Sequence, residues 1–241
     1  MEITSNQNAT YKQWMKLHQA KYRSEYRRFL VEGDHLVEEA QSAKCVETII
    51  IRFGHKTNFK GPIYELKDNL FDKLCVTQSK ENIIALCTFP DVRVKSETRI
   101  LICDQIQDPG NMGTMIRTAL SFGFDKILCS KDCVDVYNEK VIRASQGAIF
   151  HISTESVDLV KTIEDLKKSS FRVYGTGFNQ STPLESVKPS EKLAIILGNE
   201  GKGVRTEVLR KCDSIIRIET SKFNSLNVGV ATGILLHYFR K

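Results

Sequence analysis

The chain has 241 residues, the length of one large domain or two modest ones. Its 41% hydrophobic and 27% charged residues are typical of a globular protein, which excludes disorder and fibrous repeats. A net charge of +6 permits a polyanionic partner without requiring one, and no apolar run approaches the roughly 18–20 residues of a membrane span. The polar N-terminus predicts no secretory signal.

Residues 1–92 are predicted to form a small α/β domain. Hydrophobic periodicity predicts a helical stretch, then a strand, a short helix and a second strand, at 12–42, 47–53, 66–75 and 82–87. The polar, charged stretch 90–98 is the predicted boundary, so the second domain is expected over 97–241.

The first 30 residues concentrate basic side chains with aromatic ones between them. Basic groups neutralise phosphates and aromatic rings stack on unpaired bases, so this mixture suits RNA. A solvated helix that docks its aromatic rings on the core is an equally good reading. The residues predicted to contact RNA are Lys12, Lys16, Arg23, Arg27 and Arg28, and the interleaved aromatic residues are Tyr11, Trp14, Tyr22 and Tyr26.

From residue 99 onward, predicted strands and helices alternate. The predicted strands are 99–104, 126–130, 149–153, 171–176, 192–197 and 214–218, and the predicted helices are 112–122, 139–145, 158–169, 206–212 and 225–239. This alternation predicts a parallel sheet covered by helices on both faces. Ligands bind beyond the carboxyl ends of such strands, so the loops that follow the strands are the candidate sites.

The first of these loops covers residues 104–119. Asp108 or Asn111 can cap a helix that begins near Met112. Arg117, about one turn into that helix, could reach a phosphate at the helix mouth. The alternative is a capping loop with an exposed arginine.

The second loop, residues 198–204, is rich in glycine but is not a P-loop. Only two residues separate Gly198 from Gly201, and no Ser or Thr follows Lys202. A nucleotide-binding enzyme of the ordinary doubly wound type is therefore disfavoured. Glu200 is the only side chain in this loop able to accept a proton.

The third loop runs from residue 223 into the last predicted helix. Ser225 is the expected N-cap, and Ser225 and Asn227 place polar groups at the helix mouth. Gly229 and Gly233 lie four residues apart, a spacing that lets a second backbone come close. A cap followed by a packing seam is the simpler reading of this segment.

The three loops carry motifs in a fixed order: N-x-G-x-x-x-R-T-A from Asn111, G-N-E-G-x-G from Gly198 and S-L-N-V from Ser225. On these motifs residues 99–241 resemble the SpoU–TrmH branch of the SPOUT RNA methyltransferases. Residues 1–90 are similar to the RNA-binding domain that precedes many members. The three motifs in this order make a chance match improbable.

The resemblance implies an α/β fold with a parallel-sheet SPOUT domain and a C-terminal trefoil knot. It implies a homodimer that transfers a methyl group from S-adenosylmethionine to a ribose 2′-hydroxyl, in ribosomal RNA more readily than in tRNA. By position, the implied catalytic residues are Asn111, Arg117, Glu200, Ser225 and Asn227. The implied cofactor-binding residues are Thr176, Leu197, Gly198, Asn199, Gly201, Ile218 and Leu226.

Arg117 is a poor base because the pKa of a free arginine exceeds ~12, so we expect it to stabilise the developing alkoxide and the adjacent phosphate. The proton acceptor is left open between Glu200 and the RNA phosphate. The family usually has Ile-Pro-Met before the third motif, whereas this chain reads Ile218-Glu219-Thr220, which predicts a looser cofactor-binding bend. The alternative functions are a catalytically silent RNA-binding member and a tRNA-directed enzyme.

Seven cysteines are an odd number, and most lie within apolar runs, where a reduced cysteine acts as a small hydrophobic side chain. We therefore predict free thiols in a reducing, cytoplasmic compartment. Cys129 and Cys133 lack a second pair or a nearby histidine to complete a zinc site, and the five histidines are never at ligand spacing, so we expect no metal.

Overall fold

The computed structural model describes residues 1–76, 81–94, 96–222 and 225–240, which form two lobes. The N-terminal lobe contains, in chain order, β1 (Glu2–Ile3), α1 (Ala9–Lys16), α2 (Ala20–Tyr26), β2 (Arg28–Glu32), α3 (Asp34–Ser42), β3 (Val46–Arg52), β4 (Ile63–Leu66), α4 (Asp68–Leu74) and β5 (Ile83–Thr88). Its five strands form one mixed sheet in the order β1-β4-β3-β5-β2. Helices α1 and α4 cover one face of this sheet, and α3 packs on the other.

Strand β2 lies inside the stretch that periodicity predicts as helical, so that prediction is wrong there. Phe29 and Val31 are buried and their neighbours are half-buried, an alternation with the period of a strand. The strand pairs antiparallel with β5, and Gly33, at φ 90°, separates it from α3. Only glycine adopts such a backbone without strain, so the chain can turn sharply from strand to helix.

The C-terminal lobe begins at β6 (Arg99–Asp104). Its further elements are α5 (Pro109–Ser121), β7 (Lys126–Ser130), α6 (Glu139–Ser145), β8 (Ser153–Val157), α7 (Leu159–Lys168), β9 (Arg172–Thr176), β10 (Thr182–Pro183), β11 (Leu193–Gly198), α8 (Thr206–Leu209), β12 (Ser214–Arg217) and α9 (Val228–Tyr238). Seven parallel strands form one sheet in the order β10-β12-β9-β11-β6-β7-β8. The predicted parallel sheet is thereby confirmed.

Helices cover both faces of this sheet. Along β6, side chains alternate between two apolar clusters, one shared with α5, α6 and α9 and the other with α7 and α8. Several boundaries differ from the prediction: α8 ends at Leu209 rather than at 212, and α9 begins at Val228 rather than at 225. The strand expected at 149–153 is β8, at Ser153–Val157, because residues 148–150 form a 3-10 turn, and α5 begins at Pro109, three residues early.

The two lobes share one hydrophobic core. Phe29 of β2 lies 6.2 Å from the Phe150 ring and 4.7 Å from the Tyr137 ring of the C-terminal lobe, centroid to centroid. One continuous cluster of buried side chains runs from β2, α3 and β3 to α5 and α6. The N-terminal lobe is therefore packed against the C-terminal lobe rather than tethered to it.

An ion pair closes the same boundary. The Arg23 guanidinium of α2 is only 4% exposed; its Nε donates to Asp135 Oδ2 at 2.6 Å, and its Nη1 donates to the Leu17 carbonyl at 2.7 Å. Burial lowers the pKa of the neighbouring His18, so its imidazole is neutral at pH 7. The loop after β7, which carries Asp135, is thus held directly against α2.

All seven cysteines are free thiols, as predicted. Within the described ranges, no helix has the length and apolar character to cross a bilayer. In the same ranges no group of three or more His, Cys, Asp or Glu side chains is placed to hold a metal ion.

Candidate active site

A cavity of about 590 Å³ opens at the carboxyl ends of β9, β11 and β12. Its wall combines the backbone of the glycine-rich loop after β11 with apolar side chains from β12 and α9. The seven residues predicted to bind a cofactor all line it: Thr176, Leu197, Gly198, Asn199, Gly201, Ile218 and Leu226. The structure thus brings them together around one space, at the sheet edge where ligands of such folds bind.

The glycine-rich loop is a tight turn closed by its own hydrogen bonds. Gly203 N donates to the Asn199 carbonyl at 2.9 Å, and Asn199 N donates to the Gly203 carbonyl at 3.1 Å. The Asn199 side-chain oxygen accepts from the amides of Gly201 and Lys202 at 3.0 and 3.1 Å. A Cβ at Gly198 would overlap the Gly203–Val204 backbone, so only glycine fits where the strand enters this turn.

A buried carboxylate holds the far end of the loop. Asp104, at the end of β6, has no exposed surface; it accepts from Arg205 N at 2.9 Å and from Arg205 Nε at 2.8 Å. A charge buried this deeply is stable only when it is paired. Neither Asp104 nor Arg205 is among the residues predicted to form the site, although an acid that ends a buried apolar strand is a usable signal.

Three predicted catalytic residues from three loops form one hydrogen-bonded chain. Asn227 Nδ2 donates to Asn111 Oδ1 at 3.0 Å, and Asn111 Nδ2 donates to Glu200 Oε1 at 3.1 Å. Ser225, the fourth, lies on the wall of the adjacent cavity. The Asn111–Glu200–Asn227 chain therefore stands beside the cavity, built from residues far apart in sequence.

Helix caps hold two members of this chain. The side chain of Asp108 accepts from Asn111 N at 2.7 Å and caps α5, which fixes the backbone of Asn111. Asn227 caps α9 by accepting from Gly229 N at 2.8 Å, so the expected cap Ser225 is wrong by two residues. A side chain that caps a helix has little rotational freedom, so the Asn227 side chain is held in place before any ligand binds, and its hydrogen bond orients the side chain of Asn111.

The Glu200 carboxylate is occupied on both oxygens. Besides Asn111, it accepts from the backbone amides of Gln107 and Asp108 at 3.5 and 3.2 Å, and from Asn199 Nδ2 at 3.4 Å. These bonds join the first motif loop to the second. Glu200 is thus a fixed anchor between the loops.

Arg117 does not reach this cluster. Counted from Pro109 it is two turns into α5, about 9 Å along the axis from Asn111 and roughly 120° around it. Its side chain is exposed, and no hydrogen bond joins it to the other predicted catalytic residues in the ranges the structure covers. Along α5 it lies between Thr114, which touches Gly229 of α9, and Phe122, whose ring meets His237.

The Ile218-Glu219-Thr220 sequence before the third motif adds a carboxylate, and this Glu219 carboxylate forms an ion pair with Arg217. Arg217 Nη2 lies 3.0 Å from Glu219 Oε1, and the same guanidinium donates to the Ser181 carbonyl. Ile218 and Thr220 line the cavity, whereas Glu219 points out of it, 58% exposed. The added carboxylate is therefore balanced outside the cavity.

The structure divides the residues predicted to contact RNA. The prediction is wrong for Arg23, because its buried guanidinium joins the lobes and is shielded from a phosphate. Arg28 pairs with Glu47, at 2.5 Å, and Arg27 stacks over the Phe89 ring. Of the set, Lys12 and Lys16 are exposed lysines.

The aromatic residues of the same segment divide in the same way. Tyr11 and Trp14 are buried in the N-terminal core, as the docked-helix reading expects. Tyr22 is half-buried, with the ammonium groups of Lys16 and Lys21 at 5.3 and 5.6 Å from its ring. The basic and aromatic patch that remains on the surface is centred on Tyr22.

Comparisons with known proteins agree with this geometry. Residues 98–237 match the model of the SpoU rRNA methylase family, and residues 8–85 match that of the MRM3-like substrate binding domain. The 23S rRNA (guanosine(2553)-2′-O)-methyltransferase RlmP of Bacillus subtilis is 35% identical over 247 aligned positions, which cover 99% of each chain.

Solved structures share the fold across both lobes. A structure described as an RNA 2′-O ribose methyltransferase is 27% identical with a TM-score of 0.79, covering 99% of this chain and 97% of its own. An AdoMet-bound rRNA methyltransferase from Sinorhizobium meliloti is 23% identical with a TM-score of 0.85, covering 99% and 96%. At 23% identity, the similarity to the Sinorhizobium meliloti structure supports the fold alone.

Proposed function

The chain belongs to the SpoU rRNA methylase family, and on that premise we propose that it transfers a methyl group from S-adenosylmethionine to a ribose 2′-hydroxyl of ribosomal RNA. The observation that carries this proposal is the Asn111–Glu200–Asn227 chain, which joins the three motif loops beside the cavity. Ribosomal RNA is the substrate named for the Bacillus subtilis relative, which aligns along the full length of this chain.

The cavity has the chemistry that S-adenosylmethionine requires. Its volume of about 590 Å³ lies within the range of small-molecule sites. Apolar side chains, among them Ile218 and Leu226, suit an adenine ring, and the turned backbone after Gly198 offers polar groups. Glu200 adds a carboxylate to the wall, a charge that attracts a sulfonium cation. These residues would hold the cofactor, which supplies a methyl group already activated by the sulfonium charge.

The protein itself must align the ribose and accommodate the hydroxyl proton. Glu200 already accepts four hydrogen bonds, so we assign it to holding Asn111 and the first motif loop in place. The RNA phosphate is then the proton acceptor. Asn227, fixed as a helix cap, and Asn111, held by Asn227 and Glu200, orient the substrate at the mouth of the cavity.

Arg117 is the group that stabilises the forming alkoxide, and a second subunit brings it into position. Val230 and Ile234 of α9 are 52% and 39% exposed, and with Gly233, against which none of the described residues packs, they form an apolar stripe. Arg117 lies on the neighbouring α5. A homodimer about this stripe buries the apolar side chains and directs Arg117 to the partner's ribose site.

The remaining features of the proposal concern the architecture. The trefoil knot implied by the resemblance is supported by the place of β12, between β9 and β10 in the sheet. A domain boundary between 92 and 97 is supported by the two family matches, which end at 85 and begin at 98. Lys12 and Lys16, beside Tyr22, are the RNA contacts of the first helices. Ribosomal RNA as substrate and seven free thiols favour the cytoplasm.

The test of function uses ribosomal RNA from cells that lack this gene. The purified full-length protein and S-adenosylmethionine should restore one missing 2′-O-methyl group, mapped by its resistance to alkaline cleavage. The Asn111→Ala variant should bind S-adenosylmethionine and fail to methylate. Methylation confined to tRNA would overturn the substrate assignment, and cofactor binding without methylation of either RNA would indicate a catalytically silent member.

Active-site sharing has its own test. Mixed dimers of Arg117→Ala and Asn111→Ala chains should recover about a quarter to a half of wild-type activity, because one of the two sites regains both residues. Each variant alone should be inactive. If mixing restores nothing, Arg117 serves the site of its own chain.

A further inference from the structure

The loop that joins β3 to β4, residues 53–62, presents an aromatic ring to solvent. Phe53 is 59% exposed, and in the described part of the chain the other phenylalanine with comparable exposure is Phe178, which lines the cofactor cavity. A single exposed apolar side chain is ordinary on a protein surface. What distinguishes Phe53 is the fixed backbone and the positive charge of the loop that carries it.

The base of the loop is rigid. Arg52, the last residue of β3, pairs with Asp68 and Asp72 at 3.2 and 2.5 Å and stacks over the Phe71 ring at 4.8 Å. Phe53 N donates to the Leu66 carbonyl at 2.8 Å. The backbone of Phe53 is therefore fixed on both sides, and its ring is held outward by the fold.

The tip of the loop is folded back in the same way. Gly54 has a φ of 75°, which permits the turn directly after Phe53. Further along, Phe59 packs against the main core and its amide donates to Thr57 Oγ1 at 3.2 Å. The segment between Phe53 and Phe59 is thus a short arch that is fixed at both ends by these contacts.

The arch is basic. Residues 53–64 contain no Asp or Glu, and they include His55, Lys56 and Lys60. Both lysines are exposed and have no ion-pair partner among the residues covered by the structure. The nearest carboxylate along the chain, Glu65 of β4, is half-buried, and the next two, Asp68 and Asp72, pair with Arg52. The local field therefore favours an anion.

The position of the arch relates it to the catalytic lobe. Strands β2 and β3 finish, and strand β5 starts, at the same end of the N-terminal sheet. Glu32, at the end of β2, borders the same small cleft as Tyr137 of the loop after β7 and Glu139 at the start of α6. That loop in turn contacts the first motif loop, where Val134 N donates to the Ile106 carbonyl. Phe53 lies about two strand spacings, roughly 10 Å, from that boundary.

We propose that the Phe53 arch, residues 53–61, is a second RNA contact in which an unpaired base stacks on Phe53 while Lys56 and Lys60 neutralise the flanking phosphates. A fixed, exposed ring followed by unpaired cations on the same short loop is the arrangement that binds single-stranded nucleic acid with little sequence preference. The inference rests on the proposed function, because it assumes an RNA substrate. It adds an anchoring point at the carboxyl end of β3 to the one on the helices around Tyr22.

The test compares two substitutions of one residue in the full-length protein. Phe53→Leu keeps the apolar character and removes the aromatic face, whereas Phe53→Tyr keeps the face. Binding of a single-stranded poly(U) oligonucleotide should weaken about tenfold in Phe53→Leu and stay within about twofold in Phe53→Tyr. Equal affinities for both variants would overturn the stacking contact.

The cations are tested by salt dependence. Lys56→Gln with Lys60→Gln should reduce the slope of log affinity against log salt by about 1.4, the value for two phosphate contacts on a single strand. Lys44→Gln is the matched control, because Lys44 is exposed and precedes β3, at the opposite end of the strand from Phe53. A slope unchanged in the double variant, or equally reduced in the control, would contradict the proposal.

Catalytic readouts separate this inference from the proposed function. In methylation of unmodified ribosomal RNA, Phe53→Leu should raise KM for RNA about tenfold and leave kcat and S-adenosylmethionine affinity near wild type. A wild-type protein that methylates RNA while Phe53→Leu leaves KM unchanged would refute the arch alone. A wild-type protein without methylation would refute the function, while the poly(U) comparison would still decide the arch. If the arch instead binds a protein, no variant will change either RNA measurement.

Discussion

Replacing Gly198 by alanine tests the cofactor assignment most directly, because the added methyl meets backbone rather than a movable side chain. Its Cβ would approach the Gly203 carbonyl carbon and Val204 N well inside the 3.0 Å that real Cβ contacts respect. The loop must then move away from the end of β11 by roughly 1 Å, since packed backbone yields only by displacement.

That displacement breaks the pair of hydrogen bonds between Asn199 and Gly203, at 2.9 and 3.1 Å, which close the turn. At a net value of about 0.5–1.5 kcal/mol each, their loss costs about 1–3 kcal/mol. If the turn forms the cofactor site, the dissociation constant for S-adenosylmethionine should rise about 5- to 150-fold.

The measurement is calorimetric titration of S-adenosylmethionine into the wild type, Gly198→Ala and a matched control, Gly61→Ala. Gly61 lies in the N-terminal lobe and does not line the cavity; at φ 135° alanine is strained there, so the control shows what general destabilisation does, and it should bind within about twofold of wild type. Thermal unfolding verifies that each variant is folded. Equal affinity of Gly198→Ala and Gly61→Ala would refute the reasoning, because the turn would then not be part of the site.

Three further predictions address catalysis, stability and assembly. Arg117→Ala should lower kcat on the order of 10²–10³ with little change in cofactor affinity, and Arg117→Lys should rescue poorly because an ammonium lacks the planar fork of a guanidinium; single-turnover methylation near the wild-type rate would contradict this. Arg205→Ala should destabilise the protein by about 3 kcal/mol or more in urea unfolding, because it leaves the Asp104 carboxylate buried without its cation, and adding Asp104→Asn should recover most of the loss. Ile234→Glu should convert a dimer into a folded monomer of 27.4 kDa by light scattering; an unchanged mass would place the subunit contact elsewhere.

The parallel sheet and the convergence of the three loops could be predicted because both depend on local signals. The strands of the second half are apolar runs separated by amphipathic helices, and in a parallel sheet the loops after such strands meet at one edge. The motifs around Asn111, Gly198 and Asn227 could therefore be placed together without knowledge of any distance between them.

The sequence does not predict contacts between residues that lie far apart along the chain. Arg23 has the local sequence context of the other cations of its helix, and its partner, Asp135, is 112 residues away. Arg205 and Asp104 are separated by 101 residues, and the place of Asp104 at the end of an apolar strand signals its burial without identifying its partner. Burial of a charge is a tertiary property, so composition alone assigns such arginines to the surface.

Hydrophobic periodicity fails to predict short elements for a different reason. Strand β2 is five residues long, and its apolar side chains run on into those of α3, so the combined pattern has the length expected of a helix. Gly33 was the one signal that separates them. The three-residue error at the start of α5 likewise moved Arg117 from the second turn to the first, which made it seem closer to the cluster than it is.

The apolar cluster that crosses from one lobe to the other bears on how the enzyme measures its substrate. Domains joined by a linker sample many separations, whereas Phe29, Phe150 and Tyr137 interlock so that the surface around Tyr22 and the Asn111–Glu200–Asn227 chain keep a constant span. Cooperative melting of both lobes follows, since neither can lose its sheet without uncovering the other's interior. If the surface around Tyr22 binds the RNA, as we propose, distance selects the modified nucleotide: the ribose that lies at this span from the bound strand is the one that is methylated.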